Sequence, residues 1–190
     1  AEFLKTLEAD EVVPAVSMIL SRAFPKWSQK KLNISWMTLS SVLQRLSGAD
    51  WAAFGQVFSR TGDVGSAVMV VFEKSKPKRQ TVLFEQPLTI LEVHRSLEAI
   101  ANAEGTGSRE KKNHLITALL SHASPLEAKY LVKIFVGEMR TGFHEGLMEQ
   151  AVAKAFEVPL PLVQKASMSL GDISEVAFVI KTEGKESLQK

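Results

Sequence analysis

The stretch SPLEAKYLVKIF, residues 124–135, decides the fold class of this chain because it carries the signals of an amphipathic helix. Ser124 can cap the helix, Pro125 suits its first turn, and Glu127 completes a capping box. The apolar residues behind this start recur at helical spacing along one stripe: Leu126, Tyr130, Leu131, Ile134 and Phe135. We therefore predict a helix that begins at Ser124.

Outward from this stretch, helix signals dominate the chain. Thr89 and Glu92 form a second capping box, which predicts a helix to about Ala103, stopped by Gly105 and Gly107. Ser108 can cap a third helix to about His122, and Asp50 a fourth that carries Trp51, Phe54, Val57 and Phe58. Three more segments read as helical, near 12–23, 36–47 and 145–157.

Three segments are candidates for other structure. The polar, basic, proline-containing stretch 74–79 is the best linker, and Thr81–Phe84 could be a short extended piece. Val68–Phe72 is β-prone by composition, but five apolar residues do not distinguish a buried strand from a buried helix.

An internal repeat appears when the chain is shifted by 109 residues. Gly62 and Asp63 then fall on Gly171 and Asp172, and Lys31 falls on Arg140. The second copy reads as a helix capped by Asp172, so a structural duplication predicts that Val64–Lys74 is helical too. A strand there would contradict the repeat.

We therefore predict an all-α, multi-helix domain of two pseudo-symmetric helical halves, at about 10–76 and 125–185. A basic linker and two helices at about 77–124 join the halves. The length of 190 residues and the apolar fraction of 45% suit one domain with a real core. No stretch approaches 18 uncharged apolar residues, so no transmembrane helix is expected.

Catalytic signatures are missing from the sequence. There is no cysteine, and none of the four histidines pairs with another at i, i+4. The chain also lacks a phosphate-binding P-loop, a dinucleotide-binding Gly-x-Gly-x-x-Gly, a Gly-x-Ser-x-Gly and a Lys-x-Asp-Gly. Nothing in the residues points to an active site, a metal site or a cofactor. The net charge of +2 favours local basic patches over a global field.

Three glycine-bearing segments are candidate phosphate contacts, because glycine lets a backbone approach closely and helix starts attract anions. The first segment runs from Gly105 to Lys112, and the second runs from Gly137 to Gly142. The third is the Gly-Asp turn, present twice. The candidate residues are Gly107, Ser108, Lys111, Lys112, Gly137, Arg140, Gly142, Gly62, Gly65, Gly171 and Lys31, the last as the repeat partner of Arg140.

Each segment also has a structural alternative. Gly105 and Gly107 could be plain helix-end and loop residues, and Lys111 and Lys112 a solvated helix face. Gly137 could serve close helix packing. We assign Asp63 and Asp172 to helix capping, since a carboxylate would repel phosphate. The aromatic residues occur at core-like spacing, which favours packing over base stacking: Trp27, Trp36, Trp51 and Phe54.

Residues 105–157 carry a specific set of motifs: GSREKKNHLI at 107–116, PLEAKYLVK at 125–133, GEMRTG at 137–142 and AVAKAF at 151–156. Together they resemble the N-terminal DNA-binding domain of ATP-dependent DNA ligases of the archaeal and eukaryotic type. The likeness extends to FPKW at 24–27 and to both Gly-Asp turns, and so covers about residues 5–188.

The resemblance implies that residues 1–190 form a single all-helical DNA-binding domain, which lies on the minor groove across a nick and contacts mostly phosphates. The family's glycine and arginine loop falls on Gly137, Arg140 and Gly142. Its Gly-Ser-x-x-Lys helix start falls on Gly107, Ser108, Lys111 and Lys112. The family often has a basic residue where this chain has Glu138, and an aliphatic one where it has Thr141. Glu138 would weaken phosphate binding there or point elsewhere.

The resemblance also implies the partners: double-stranded DNA with a nick, and the adenylation and oligonucleotide-binding domains of a parent ligase. That enzyme uses ATP and Mg²⁺ in replication, repair and recombination, inside a prokaryotic cell or a nucleus, with no membrane partner. This chain holds no cofactor and, lacking the adenylation motif, should not seal nicks alone. The alternative is a helical protein-interaction scaffold without a nucleic-acid role.

Overall fold

Helices are the regular elements of residues 1–75 and 87–189, which are the residues that the computed structural model describes. In chain order they are α1 Glu2–Thr6, α2 Ala9–Ile19, α3 Trp36–Ser47, α4 Trp51–Thr61, α5 Val64–Lys74, α6 Ile90–Ala101, α7 Ser108–His122, α8 Pro125–Val136, α9 Glu145–Phe156, α10 Leu160–Leu170, α11 Ile173–Glu183 and a short 3-10 helix, Lys185–Gln189. No strand occurs in these residues, and the predicted all-α class is confirmed.

Capping chemistry sets the helix starts as the sequence predicts. In α8 the amide of Glu127 donates to the Ser124 hydroxyl at 3.2 Å, and the amide of Ser124 donates to the Glu127 carboxylate at 2.7 Å. Thr89 and Glu92 make the same reciprocal pair at the start of α6. Each box satisfies amides that have no partner within the helix.

Some boundaries differ from the prediction. Helix α2 runs earlier than 12–23, because the Glu8 side chain caps it and Glu11 completes a capping box that local reading missed. Helices α1 and α10 are not predicted by local signals; α10 begins after Pro159 without a side-chain cap. The predicted extended piece at 81–84, and most of the predicted linker, lie outside the described residues.

Val64–Lys74 is helical, as the predicted repeat requires. The bounds of α3, α4 and α5 fall on those of α9, α10 and α11 at a constant shift of 109 residues. This correspondence supports the duplication, which stays a prediction.

The chain divides into two compact units. The terminal unit comprises residues 1–30 and 139–190, and the central unit comprises residues 31–138. In the terminal unit, α11 packs on α2, α9 and α10, and Val16 and Val176 are fully buried. In the central unit, α5 packs on α4 and α8, while α7 packs on α3 and α6, and Leu97 and Ile116 are fully buried.

The helices that precede the two predicted repeats are exchanged. Helix α2 precedes α3–α5 in the chain but packs on α11, whereas α8 precedes α9–α11 but packs on α5. The loops that follow α2 and α8 therefore carry the chain from one unit into the other. Both of these loops contain residues that are predicted to bind phosphate.

Candidate nucleic-acid interface

The start of α7 is an exposed helix N-terminus in the central unit. Gly107 occupies the capping position in a left-handed conformation, with φ of 78°, and has no side chain to accept from the first-turn amides. Gly105 is also left-handed, and its carbonyl accepts from the Ser108 amide at 3.1 Å. Ser108 is thus the first helical residue and not the predicted cap. The uncapped amides and the helix dipole make this end favourable for an anion.

Lys111 and Lys112 lie on different faces of α7, since adjacent residues on a helix point about 100° apart. Lys111 is exposed, whereas Lys112 is 7% exposed. The Lys112 ammonium donates to the carbonyl oxygens of Leu32 at 2.6 Å and Asn33 at 3.4 Å. The prediction that Lys112 offers its charge to phosphate is corrected here: the ammonium is used inside the central unit.

The segment that Lys112 holds contains a third candidate. Lys31 is exposed, Leu32 is buried, and Asn33 takes a left-handed conformation with φ of 47°. Asparagine tolerates this region better than most residues do. Within the central unit, Lys112 thus connects α7 to Leu32 and Asn33, the two residues that follow Lys31.

The Gly137 corner is a helix end and not a helix start. The amide of Gly137 donates to the Ile134 carbonyl and that of Glu138 to the Lys133 carbonyl, as in a Schellman cap. Gly137 takes φ of 74°, and a Cβ there would meet nothing within 4 Å. Its amide is therefore occupied, and the alternative of close helix packing is not supported; glycine serves the left-handed cap.

Arg140 and Gly142 belong to the terminal unit, in the loop that leads into α9. Both are exposed and left-handed, with φ of 48° for Arg140 and 71° for Gly142. The loop is anchored by the Met139 amide, which donates to the Ser21 hydroxyl at 3.1 Å. A positive φ at arginine is uncommon, so this anchored loop holds Arg140 in an unusual backbone state.

The two Gly-Asp turns have one geometry. Gly62 ends α4 and Gly171 ends α10, each in the left-handed conformation with its amide donating to its own helix. Asp63 and Asp172 cap the next helices through the amides of Ser66 at 2.7 Å and Ser174 at 2.9 Å. The assignment of both aspartates to capping is confirmed.

Gly65 has a packing role that the phosphate prediction missed. It is buried in the first turn of α5, where a Cβ would lie 2.6 Å from the Lys129 carbonyl oxygen and 2.8 Å from Lys133 side-chain carbons. Gly65 therefore allows α5 and α8 to approach closely. We correct its assignment from phosphate contact to helix packing.

Charged side chains around Glu145 are a feature of the terminal unit that sequence reasoning missed. Arg22 and Lys26 both pair with the Glu145 carboxylate, Lys26 at 2.5 Å. The Lys26 amide also donates to the buried Asp172 carboxylate at 2.5 Å. Burial by itself raises the pKa of Glu145, but hydrogen bonds from Lys26 and Arg22 lower that pKa below its usual value. No local signal joins residues so distant in the chain.

Three aromatic residues are more exposed than their spacing predicts. Trp27, Trp36 and Trp51 are 64%, 51% and 39% exposed, and only Phe54 of the four is buried. In the central unit, Trp51 contacts Phe54 edge-to-face and lies 6.1 Å from Trp36 between ring centroids. In the terminal unit, the Trp27 indole N–H donates to Glu175 at 2.9 Å. The predicted core packing is wrong for the three tryptophans.

Two features are missing from the part of the chain that the structure describes. No cluster of three or more His, Asp or Glu residues there could hold a metal ion. Among the same residues, no helix is long and apolar enough to cross a membrane.

Comparison with known proteins gives a consistent result. The family model described as "DNA ligase N terminus" matches residues 1–153. The chain is 34% identical to a DNA ligase of Methanothermobacter thermautotrophicus over 188 residues, which cover 99% of this chain and 33% of that protein. It is 35% identical to a DNA ligase of Thermococcus fumicolans over 192 aligned positions, covering 100% and 34%, respectively. A DNA ligase 1 of Korarchaeum cryptofilum is 38% identical over 177 residues, covering 93% and 31%. The chain spans about a third of the length of these relatives.

Proposed function

This chain belongs to the DNA ligase N-terminal family, and we propose that it binds duplex DNA, nicked or intact, without regard to base sequence. The observation that carries the proposal is the start of α7, which combines uncapped amides, left-handed Gly107 and exposed Lys111. The next residue, Lys112, donates to the carbonyl of Leu32, which directly follows Lys31. These groups suit a phosphate backbone, because a helix N-terminus and lysines attract anions and glycine admits close approach.

In the terminal unit, we assign the same role to Arg140 and Gly142, in the anchored loop before α9, and to the exposed corner at Gly171. An arginine on this anchored loop suits a phosphate group, because its guanidinium can donate two parallel hydrogen bonds. Gly137 and Gly62 contribute the turns of their corners, since their amides donate to their own helices. Lys112 and Gly65 are not in the contacting set, because the Lys112 ammonium donates to the Leu32 carbonyl and Gly65 is buried against α8.

Contacts of this kind position a protein on DNA without reading bases, so the proposed binding is independent of sequence. We place it on the minor-groove side of the duplex, as the resemblance to the ligase domain implies. The left-handed glycines and the helix ends depend on hydrogen bonds between residues close in the chain, and each unit makes these bonds within its own residues.

The activity of a whole ligase is proposed only for a longer protein. Since the chain covers about a third of its relatives, we propose that it acts beside an adenylation domain and an oligonucleotide-binding domain that use ATP and Mg²⁺. In that setting it would help to hold a nick during replication, repair or recombination inside the cell. The described residues bind DNA in this proposal and perform no chemical step.

The test is a salt titration on two duplexes of unrelated sequence, each intact and nicked. We expect dissociation constants on the order of 10⁻⁴ to 10⁻⁶ M at physiological salt, similar for the two sequences. The logarithm of the association constant should fall by about 0.9 per neutralised phosphate for each tenfold rise in salt. Absence of binding at low salt, or binding to one sequence only, would contradict the proposal and favour a protein-interaction scaffold.

A further inference from the structure

A buried lysine connects two exposed parts of the central unit. The side chain of Lys112 projects from α7 and is 7% exposed, and its ammonium donates to the carbonyl oxygens of Leu32 and Asn33. Among the described residues, no carboxylate forms an ion pair with this ammonium. Its hydrogen-bond partners are therefore main-chain carbonyls, 79 and 80 positions away in the chain.

A buried ammonium group is energetically costly unless its hydrogen bonds are made. Burying a charged group requires hydrogen bonds to replace water, and bonds from an ammonium to a carbonyl are stronger than neutral ones. The short contact to Leu32, at 2.6 Å, indicates that this requirement is met at one specific carbonyl. Arg45 of α3 adds a second connection to α7 through Thr117 and Asn113. Lys112 thus holds the segment before α3 against α7, and Arg45 holds α3 itself against α7.

We infer that Lys112 is a positioning residue that sets the Lys31 segment against the start of α7, so that Lys31 and Lys111 contact the same run of phosphates. The inference rests on the proposed function. Lys31 directly precedes Leu32 in the chain, and Lys111 directly precedes Lys112. The hydrogen bond from Lys112 to Leu32 therefore links the two residues that follow the exposed lysines. Lys112 itself does not touch DNA.

The experiment measures the salt dependence of duplex binding by the 190-residue chain and its variants. The variants are Lys31→Ala, Lys111→Ala and Lys112→Met, with the doubles Lys31→Ala/Lys112→Met and Lys111→Ala/Lys112→Met. Methionine keeps the apolar volume of lysine but removes the donor and the charge. A lysine that contacts phosphate contributes about one to the slope of log K against log salt.

For a positioning residue, each single variant lowers the slope by about one. The Lys31→Ala/Lys112→Met double also loses about one, because loss of the tether has already removed the Lys31 contact. The Lys111→Ala/Lys112→Met double loses about two, since Lys111 acts independently. A loss of about two in the first double would mean that Lys112 contacts phosphate directly. An unchanged slope in Lys112→Met would mean a purely structural role. Either result overturns the inference.

Hydrogen exchange tests the Lys112 hydrogen bonds without DNA. In Lys112→Met we expect faster exchange of the amides of residues 31–35, with the amides of α5 unchanged.

If Lys112→Met does not fold, Lys112→Arg keeps a donor and a charge and should show the salt slope of the unaltered chain. A folded Lys112→Arg variant with a lower slope would overturn the inference. If the unaltered chain does not bind duplex at all, the proposed function fails; if it binds but the doubles are additive, only the positioning role fails.

Discussion

The carboxylate of Asp63 lies 2.7 Å from the ammonium of Lys133, and the Lys133 side chain is 5% exposed. Asp63 caps α5, whereas Lys133 belongs to α8, the helix that packs on α5. In the terminal unit Asp172 caps α11 in the same backbone conformation and faces Arg22, at 4.0 Å. Each aspartate thus ties the start of one helix to a cation from the exchanged neighbouring segment.

The Asp63 ion pair predicts a large loss of stability in Asp63→Asn, although asparagine is a good helix cap. The change removes the Asp63 counter-charge from the buried Lys133 ammonium, and we expect the free energy of unfolding to fall by about 3 kcal/mol. The measurement is urea unfolding at neutral pH. Asp50→Asn is the matched control: Asp50 caps α4 through the Ala53 amide from an exposed position, so its loss should stay within about 0.5 kcal/mol. Equal losses in the two variants would show that the ion pair adds nothing to the cap.

Acid should weaken the same contact. Burial by itself raises the pKa of Asp63, but hydrogen bonds from Lys133 and Ser66 lower that pKa below its usual value. The folded state therefore binds the proton less readily than the unfolded state. The stabilisation is complete above the unfolded pKa of about 3.9 and is lost as the pH falls through the lowered folded value.

We expect the free energy of unfolding to decrease as the pH falls from about 5 to 2, with Glu145, whose pKa is also lowered, contributing in the same direction. Urea unfolding across this range should show a shallower decrease for Asp63→Asn than for the unaltered chain. Parallel curves would remove Asp63 from the groups that titrate on unfolding.

Gly65→Ala should be strongly destabilising, because the added methyl group would clash with the Lys129 carbonyl oxygen and the Lys133 side chain. Overpacking of this kind costs about 1–3 kcal/mol, and α5 and α8 would have to move apart. Gly55→Ala is the control, since a Cβ at this position in α4 meets nothing within 4 Å. It should stabilise the chain by about 0.5–1 kcal/mol. Thermal unfolding distinguishes the two, and a neutral Gly65→Ala would contradict the close approach.

Arg140→Ala should weaken duplex binding to all sequences alike and lower the salt slope by about one, because the proposed contact is to phosphate. The midpoint of thermal unfolding should stay near that of the unaltered chain, since the side chain is exposed. Lys154→Ala removes another exposed cation of the terminal unit and should leave the slope unchanged. If Arg140→Ala keeps the full slope and affinity, Arg140 is not part of the interface.

Much of the helical framework could be read from short-range chemistry. The capping boxes at Ser124 and Thr89, and the aspartate caps at Asp50 and Asp63, act within four residues of the helix start, and the structure confirms all four. Helix α10 was missed because it has no capping side chain, so its start has no such local signal.

The candidate site was less predictable, because neighbouring residues with the same chemistry have different surroundings. Lys111 and Lys112 are adjacent lysines that nothing in the sequence distinguishes. Lys111 is exposed, whereas the Lys112 ammonium donates to carbonyls that are distant in the chain. Gly65 and Gly55 are both helical glycines, yet only Gly65 faces another backbone at close range. The tryptophans follow a core-like spacing but remain exposed.

The all-α class and most helix starts follow from local sequence, since helix caps depend on hydrogen bonds between residues a few positions apart. Helix packing, by contrast, sets which lysine is buried, which glycine is crowded and which cation faces each capping aspartate. These outcomes depend on contacts between helices distant in the chain, above all the exchange of α2 and α8, and neither spacing nor composition encodes which helix faces which.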